Sequence, residues 1–260
     1  MEFILSIFVF IPRSILAILF SVLILTSQVL AGEIVVGGTD YWNPYCYCLK
    51  DDVRDLRGYT VDITKSILGK NNELVFNVLP WKRCLRMLEC GQVDIVLDSS
   101  MNQKRLSKYV FSDPIYHVEN VFFYSKRKFP SGPDINSVSD VEKYSLGGIA
   151  GYNYSVYPFD VSRSEKGALD YKALLAMVKH ERFDLALGLK QVILSYAEMN
   201  DLSLDGIGWI PMPEVPPLSF HIIANKSPKG ERLIQRINEG LKSMKDSGEL
   251  DVLNKTYGIN

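Results

Sequence analysis

Strand-like and helix-like segments alternate along this chain, and this constrains its fold more than any other feature. In the first half, β-branched runs at 33–37, 74–79 and 93–97 are separated by segments 59–68 and 82–89, whose apolar residues have helical spacing. Such alternation is typical of a parallel sheet with helices on its faces. We therefore predict an α/β fold.

The same order restarts in the second half of the chain. Strand signals at 145–149 and 184–188 are followed by helical spacing at 171–180 and 191–199 respectively. A repeated set of elements predicts a second α/β lobe with a cleft between the two lobes.

Two further apolar strands, at 121–124 and 220–223, predict two crossings between the lobes. We expect residues 32–125 and 219–260 to form lobe 1 and residues 126–218 to form lobe 2. The two crossings predict a two-stranded hinge.

The first 31 residues differ in kind from the rest. Residues 3–30 are almost wholly apolar apart from Arg13, and the apolar run after Arg13 has the length of the hydrophobic region of a signal peptide. We predict a signal peptide over residues 1–31, cut near Ala31, and therefore a periplasmic protein. A retained membrane anchor is the alternative.

Charge and composition exclude some partners. The chain has 29 Lys and Arg against 30 Asp and Glu, a net charge of −1, so no nucleic-acid partner is indicated. No Cys-x-x-Cys pair or neighbouring histidine completes a set of metal ligands, and we expect no metal and no cofactor. We expect a monomer.

The four cysteines all follow the predicted leader, where an oxidising compartment favours disulfides. If Cys84 and Cys90 share one helix, their Cα atoms lie about 9 Å apart, too far for a bridge. We expect one of them to be cross-linked to Cys46 or Cys48. Buried free thiols are the alternative.

Candidate ligand-binding residues follow from topology, because open parallel sheets bind ligands beyond the carboxyl ends of their strands. Each candidate also has a simpler explanation: the aromatic residues as core, the aspartate as a turn cap, and the arginine as a solvated surface residue. The candidates at the strand ends are Tyr45, Trp81, Arg83, Asp98, Ser99, Ser100, Gly151, Tyr152 and Asn153.

Several short motifs, in their order and spacing, resemble the periplasmic solute-binding proteins of the amino-acid type, family 3. The resemblance covers essentially the whole chain after the leader. It implies a two-lobed periplasmic-binding-protein (Venus flytrap) fold with a two-stranded hinge. The matching motifs are GYTVDI at 58–63, PWKR at 80–83, GQVD at 91–94, Arg105 with FSDP at 111–114, FDLA at 183–186 and SGEL at 247–250.

The resemblance also gives Arg105 a role. In this family an arginine six residues before the Phe-Ser element clamps the α-carboxylate of the ligand, and Arg105 stands six residues before Phe111. Its planar fork of donors suits a carboxylate. The alternative is a surface charge, because Lys104 and Lys108 are also basic.

Two departures from the family pattern concern the ligand. Asn102 stands where amino-acid binders usually have serine or threonine, and Leu189 stands where the family has the carboxylate that pairs with the ligand's ammonium group. Either Asp98 supplies that negative charge, or the ligand has no α-ammonium group.

The function implied is an exported solute-binding protein, not an enzyme. It would capture a small carboxylate-bearing metabolite, such as an amino acid, by lobe closure, and deliver it to the membrane permease of an ABC transporter. One alternative is a periplasmic sensor protein for a signalling receptor. The other is an exported dehydratase-like enzyme on the same fold, for which Asp98 is the candidate acid or base.

Overall fold

The computed structural model describes residues 32–39, 41–49, 52–150, 152, 154 and 156–259. The predicted signal peptide and the candidates Gly151 and Asn153 lie outside these ranges. No helix within them has the length and hydrophobicity needed to cross a bilayer.

The secondary structure follows the predicted alternation. The strands are β1 (Gly32–Gly38), β2 (Tyr41–Trp42), β3 (Cys46–Leu49), β4 (Asp52–Arg57), β5 (Asn72–Val78), β6 (Ile95–Ser100), β7 (Tyr109–Phe111), β8 (Tyr116–Val118), β9 (Asn120–Ser125), β10 (Leu146–Ile149), β11 (Glu165–Ala168), β12 (Leu185–Leu189), β13 (Ile207–Pro211) and β14 (Leu218–Asn225). The α-helices are α1 (Tyr59–Leu68), α2 (Trp81–Glu89), α3 (Gln103–Lys108), α4 (Tyr171–Lys179), α5 (Lys190–Met199), α6 (Pro228–Ser247) and α7 (Glu249–Tyr257), and a 3-10 helix spans Val138–Lys143.

The first sheet has the strand order β5-β1-β6-β14-β7, and β8 also pairs with β14. Strand β1 is parallel to both β5 and β6, as the alternation predicts, whereas β14 returns antiparallel to β6. The carboxyl ends of β1, β5 and β6 therefore meet at one edge of the sheet, which is where a ligand is expected.

The second sheet has the order β11-β10-β12-β9-β13. Strand β9 runs antiparallel to both β12 and β13 inside this sheet. We expected its residues, 120–125, in lobe 1, and this boundary is wrong: the chain leaves the first sheet after β8, at Glu119. An apolar run predicts a strand, but its sheet is decided by partners far along the chain.

The two crossings between the sheets run side by side. The backbone N–H of Met212 donates to the carbonyl of Asn120 at 3.0 Å, and Asn120 Nδ2 donates to the carbonyl of Pro216 at 2.8 Å. On the first-sheet side, Leu218 is paired with Val118. These bonds give the two-stranded hinge that the sequence predicts.

A small third sheet, β2-β3-β4, fills the segment between β1 and α1, where the sequence, rich in aromatic and turn residues, has no clear strand signal. Helix α1 packs against this sheet, against the first sheet and against α6 and α7. The C-terminal helix is attached through side chains: Tyr59 Oη donates to Asn254 at 2.7 Å and Tyr257 Oη donates to Asp62 at 2.6 Å.

The cysteines are free thiols in this structure, and the expected cross-link is not supported. A Cβ atom added at Gly37 would lie 3.6 Å from Cys84 Cβ, whereas one added at Gly38 would lie 2.7 Å from Cys46 Sγ. Successive residues of a strand face opposite sides of its sheet. Cys46 and Cys84 therefore lie on opposite faces of β1.

Candidate ligand-binding cleft

Arg105 is held at the carboxyl end of β6 by a residue of that strand. One of its terminal nitrogens, Nη1, donates to the carbonyl of Ser100 at 2.7 Å and to Ser100 Oγ at 2.9 Å. The guanidinium has three nitrogens with five N–H donors, and the two bonds to Ser100 use one terminal nitrogen and not the edge formed by Nε and the other. A bidentate carboxylate requires such an edge.

The guanidinium of Arg105 also lies over an aromatic ring. Its central carbon is 5.0 Å from the centre of the Trp81 ring, and both residues are partly buried. Within the described ranges no carboxylate lies within ion-pair distance of Arg105. Burial lowers the pKa of Arg105 from its usual value, because the charged form loses solvation. Arg105 is therefore a partly desolvated cation with no carboxylate of the described residues beside it.

Asn102 fixes the start of the short helix that carries this arginine. Its side-chain oxygen accepts a hydrogen bond from the backbone N–H of Arg105 at 2.8 Å, as an N-cap residue does. Asparagine caps a helix as well as serine or threonine, so the departure at this position leaves the local fold of α3 intact.

Asp98 lies in a β-bulge of β6. This strand pairs with β14 at Ser99 opposite His221, and next at Val96 opposite Ile223, so β6 has one residue more than β14 between the two pairs. Asp98 has φ of 58°, a left-handed conformation that is uncommon outside glycine. Bulges redirect side chains and are frequent beside functional sites.

The carboxylate of Asp98 is buried among hydroxyl groups. Its Oδ1 accepts hydrogen bonds from Thr60 Oγ1 at 2.7 Å and from Tyr116 Oη at 2.9 Å, whereas Oδ2 is buried without a hydrogen-bond partner. Desolvation raises the pKa of Asp98 to about 6, although the hydrogen bonds from Thr60 and Tyr116 and the neighbouring Cys46 thiol oppose the rise. These partners come from other elements, so Asp98 does not act as a turn cap.

Tyr45 and Ser99 are inside the protein instead of on an open surface. Tyr45 is fully buried, and its ring stacks on Tyr116 with centroids 3.5 Å apart. Ser99 is also fully buried, and its hydroxyl donates to the carbonyl of Ser100 at 3.3 Å. For Tyr45 the placement agrees with the core interpretation, and in this conformation neither residue is accessible to a ligand.

Arg83 is exposed on α2, two residues after Trp81, and is not brought into the set formed by Arg105, Trp81 and Ser100. Its placement agrees with the interpretation as a solvated surface residue.

On the second lobe, Tyr152 is 37% exposed and its hydroxyl donates to Tyr171 Oη at 3.0 Å. Burial raises the pKa of Tyr152 to about 12, and the charge of Tyr41 adds to the rise, whereas the hydrogen bond with Tyr171 opposes it. Gly151 and Asn153 flank Tyr152 outside the described residues, and their predicted roles stay predictions.

Leu189 ends β12 at the start of α5 and is partly buried against the core. Its neighbour Lys190 is paired with the hinge residue Glu119, whose carboxylate lies 2.9 Å from Nζ. The backbone N–H of Glu119 donates to the Gln191 side chain at 3.0 Å. At the start of α5 the second lobe therefore has an apolar side chain, Leu189, next to a lysine whose charge is balanced by Glu119.

Sequence reasoning missed the residues that hold Asp98. Thr60 is the second residue of α1 and Tyr116 lies in β8, and Trp42 Nε1 donates to Tyr116 Oη at 2.8 Å. Thr60 falls in the motif at 58–63, which was a usable signal. Trp42 lies in the loop after the first strand, which the strand-end rule also selects, whereas nothing local in the sequence marks Tyr116, because its partners are distant along the chain.

A comparison of the sequence with models of known protein families identifies the family of this chain. The model of the bacterial extracellular solute-binding proteins, family 3, matches residues 34–260. The chain belongs to this family. Its fold is the one that the resemblance implied.

Curated relatives of this family 3 protein are named as amino-acid-binding proteins. A probable histidine-binding protein of Neisseria gonorrhoeae is 23% identical over 218 residues, which cover 80% of this chain and 76% of the relative. The L-cystine-binding protein TcyA of Bacillus subtilis is 24% identical over 227 residues, covering 87% and 81%. Both are named as binding proteins and neither as an enzyme.

Solved structures share the two-lobed fold. A substrate-binding protein of an ABC uptake transporter from Streptococcus pneumoniae, with bound histidine, has a TM-score of 0.69 at 18% identity and covers 86% of this chain and 92% of its own. A histidine kinase sensor domain has a TM-score of 0.68 at 17% identity, covering 86% and 95%. At these identities the likeness concerns the fold.

Proposed function

We propose that this family 3 protein is exported, binds a small carboxylate-bearing metabolite of the amino-acid class between its lobes, and delivers it to the permease of an ABC transporter. The observation that carries the proposal is Arg105. It is a partly buried guanidinium oriented by Ser100 and Trp81, and no carboxylate of the described chain pairs with it.

Binding and delivery follow from the architecture. The ligand first docks on the lobe that contains Arg105, and the second lobe then closes through the paired hinge segments. Closure expels water from the guanidinium, which strengthens its hydrogen bonds to the carboxylate. A permease that binds the closed form more tightly than the open form receives the ligand selectively.

The test is a thermal-shift screen of the chain from Gly32 against amino acids and organic acids. A ligand that binds only the native state raises the melting temperature. Arg105→Ala should abolish the shift, whereas Arg86→Ala, which removes an exposed arginine of α2, should keep it. A shift that survives in Arg105→Ala, or no shift with any acid, contradicts the proposal.

A second candidate is an input protein for a signalling receptor, because the fold also occurs in a histidine kinase sensor domain. The binding site would be the same, and only the docking partner would differ. Co-purification of the ligand-bound protein from detergent-solubilised membranes separates the two candidates: a permease supports delivery, and a kinase supports signalling.

A further inference from the structure

In the first crossing, the chain passes from one lobe to the other at a single peptide bond. Val118 is fully buried and is paired with Leu218 in the first sheet. The next residue, Glu119, has both backbone groups bonded to the start of α5: its N–H donates to the side chain of Gln191 at 3.0 Å, and its carbonyl accepts from the N–H of Lys190 at 3.0 Å. Val118 therefore moves with lobe 1 and Glu119 with lobe 2, so a rotation between the lobes changes the torsions beside the peptide bond that joins them.

In the second crossing, one residue separates the lobes. The carbonyl of Pro216 accepts a hydrogen bond from Asn120 Nδ2 at 2.8 Å, and Val215 before it packs against the apolar core of lobe 2. Leu218 is already paired in the first sheet. Pro217 alone lies between these two anchored residues in sequence, so the second crossing bends there.

The two prolines remove torsional freedom from this bend. The ring of Pro217 fixes its φ at about −65°, and Pro216 is restricted in ψ because it precedes a proline. Both prolines are exposed, so the restriction comes from their rings rather than from packing. The torsions left to absorb a rotation are ψ of Pro217 and φ of Leu218. A hinge with so few soft torsions permits only a limited rotation between the lobes.

Asn120 holds the two crossings together. It follows Glu119 directly, begins β9 and is buried. Its Nδ2 binds the second crossing, and its backbone carbonyl accepts from the N–H of Met212 at 3.0 Å. Its Oδ1 accepts from Tyr157 Oη at 3.3 Å, and Tyr157 lies in the loop after β10. One buried side chain therefore joins both crossings to a loop of lobe 2.

The ion pair beside the hinge contributes less than these bonds. Lys190 Nζ lies 2.9 Å from Glu119 Oε2, but the two side chains are 30% and 43% exposed. Exposed ion pairs of this kind contribute little to the stability of an arrangement. The buried bonds of Asn120 and the proline rings are therefore the features that restrict the hinge.

We propose that the lobes of this protein rotate only about the Val118–Glu119 peptide and Pro217, and that Asn120, as a positioning residue, and the proline pair keep this rotation narrow. Ligand-free protein then samples few arrangements of its lobes, and closure requires little further ordering of the hinge. This limit on lobe motion rests on the closure in the proposed function, and its test uses ligand-free protein so that either proposal can fail alone.

The test measures the distance between the lobes by double electron–electron resonance. One spin label is attached to the exposed thiol of Cys90 in lobe 1, and the other to Lys172→Cys at an exposed position of α4 in lobe 2. Cys48→Ser removes a partly buried thiol from this background. The labelled protein should give one narrow distance distribution. Pro217→Gly, which frees φ at the bend, should widen it at least about twofold, and Asn120→Ala should widen it as well.

The control makes the same replacement at another proline. Pro130→Gly changes an exposed proline at the end of β9 that is remote from the crossings, and should leave the distribution unchanged. Because Pro217 is exposed, Pro217→Gly should fold even if Asn120→Ala, which removes a buried side chain, does not.

Three results overturn the proposal: a distribution in Pro217→Gly as narrow as in the parent protein, equal widening by Pro130→Gly, or a parent distribution that is already as wide as that of Pro217→Gly. A lower melting temperature without a wider distribution also overturns it, since the residues would then stabilise the fold alone. Failure of every acid to bind removes the proposed function and leaves this measurement unaffected.

Discussion

The guanidinium carbon of Arg105 lies 5.0 Å from the centre of the Trp81 ring, while one of its nitrogens donates to Ser100. The ring and the strand end therefore fix the guanidinium before any ligand arrives. Holding a charged group in its bound orientation reduces the entropy that binding must overcome. Trp81, one of the candidate ligand-binding residues, contacts Arg105 in this conformation, and Arg105 is the residue proposed to bind the ligand.

Replacing Trp81 tests this role. Trp81→Leu removes the aromatic face and keeps an apolar residue at the start of α2, so ligand affinity should fall about 3- to 30-fold, which corresponds to 0.5–2 kcal/mol for the contact. Titration calorimetry measures it. Trp209→Leu, which changes a 39%-exposed tryptophan on β13, is the control. Equal affinities for Trp81→Leu and wild type would exclude a positioning role.

The pH dependence of stability should report on Asp98. Its pKa is about 6 in the folded chain against an ordinary value of 3.8, so the folded state retains a proton that the unfolded state releases. The contribution of Asp98 to stability therefore falls as pH rises from about 4 to about 6 and is constant above. The total loss is at most about 3 kcal/mol, since one pKa unit corresponds to about 1.4 kcal/mol.

In Asp98→Asn the side chain is a neutral amide that does not titrate, so its contribution to stability should not change over this pH range. The melting temperature of the variant minus that of wild type, measured without ligand, should increase between pH 4 and pH 7. Parallel curves over this range would show that Asp98 is not a buried, uncompensated carboxylate.

The stacked pair Tyr45 and Tyr116 should respond differently to loss of a hydroxyl. Tyr45→Phe removes a buried hydroxyl that has no partner, so the free energy of unfolding should stay the same or rise. Tyr116→Phe removes the donor to Asp98 and the acceptor for Trp42 and should cost about 1–3 kcal/mol. Urea denaturation measures both, and the reverse order would contradict the hydrogen-bond assignment.

The cysteines should react according to their burial. Cys90 is exposed and should be alkylated in the folded protein at neutral pH. Cys84 is buried and its pKa is raised to about 11 by desolvation, so it should react only after denaturation, as should buried Cys46. Peptide mass spectrometry after alkylation distinguishes these sites. A disulfide between Cys46 and Cys84 in the native protein would contradict their placement on opposite faces of β1.

Much of the fold was predictable because its elements have local signals. The apolar runs that became β1, β5 and β6, and the helical spacing of α1, are properties of neighbouring residues. The sheet β2-β3-β4 was missed because its strands are short and interrupted by turn residues such as Asn43 and Pro44. Strand β9 was assigned to the wrong lobe because its partners β12 and β13 follow it by dozens of residues.

The candidate site was predictable in part. Trp81 and Ser100 were predicted by the strand-end rule and Arg105 by the family resemblance, and the structure brings these three residues together. Asp98 lies on β6 with Ser100. Tyr45 and Ser99 also lie near strand ends but point into the core, because side-chain direction depends on register and on the bulge in β6. The network of Thr60 and Tyr116 that holds Asp98 depends on contacts between distant segments, which no local pattern reports.

The central claim is that Arg105 binds the carboxylate of the ligand, and a two-by-two titration tests it most directly. The amino acid that gives the largest thermal shift and its carboxamide, which lacks the negative charge, are each titrated into wild-type protein and Arg105→Ala. The amide should bind wild type at least about 100-fold more weakly than the acid, whereas the variant should bind both equally weakly. An amide that binds wild type as tightly as the acid would contradict the account.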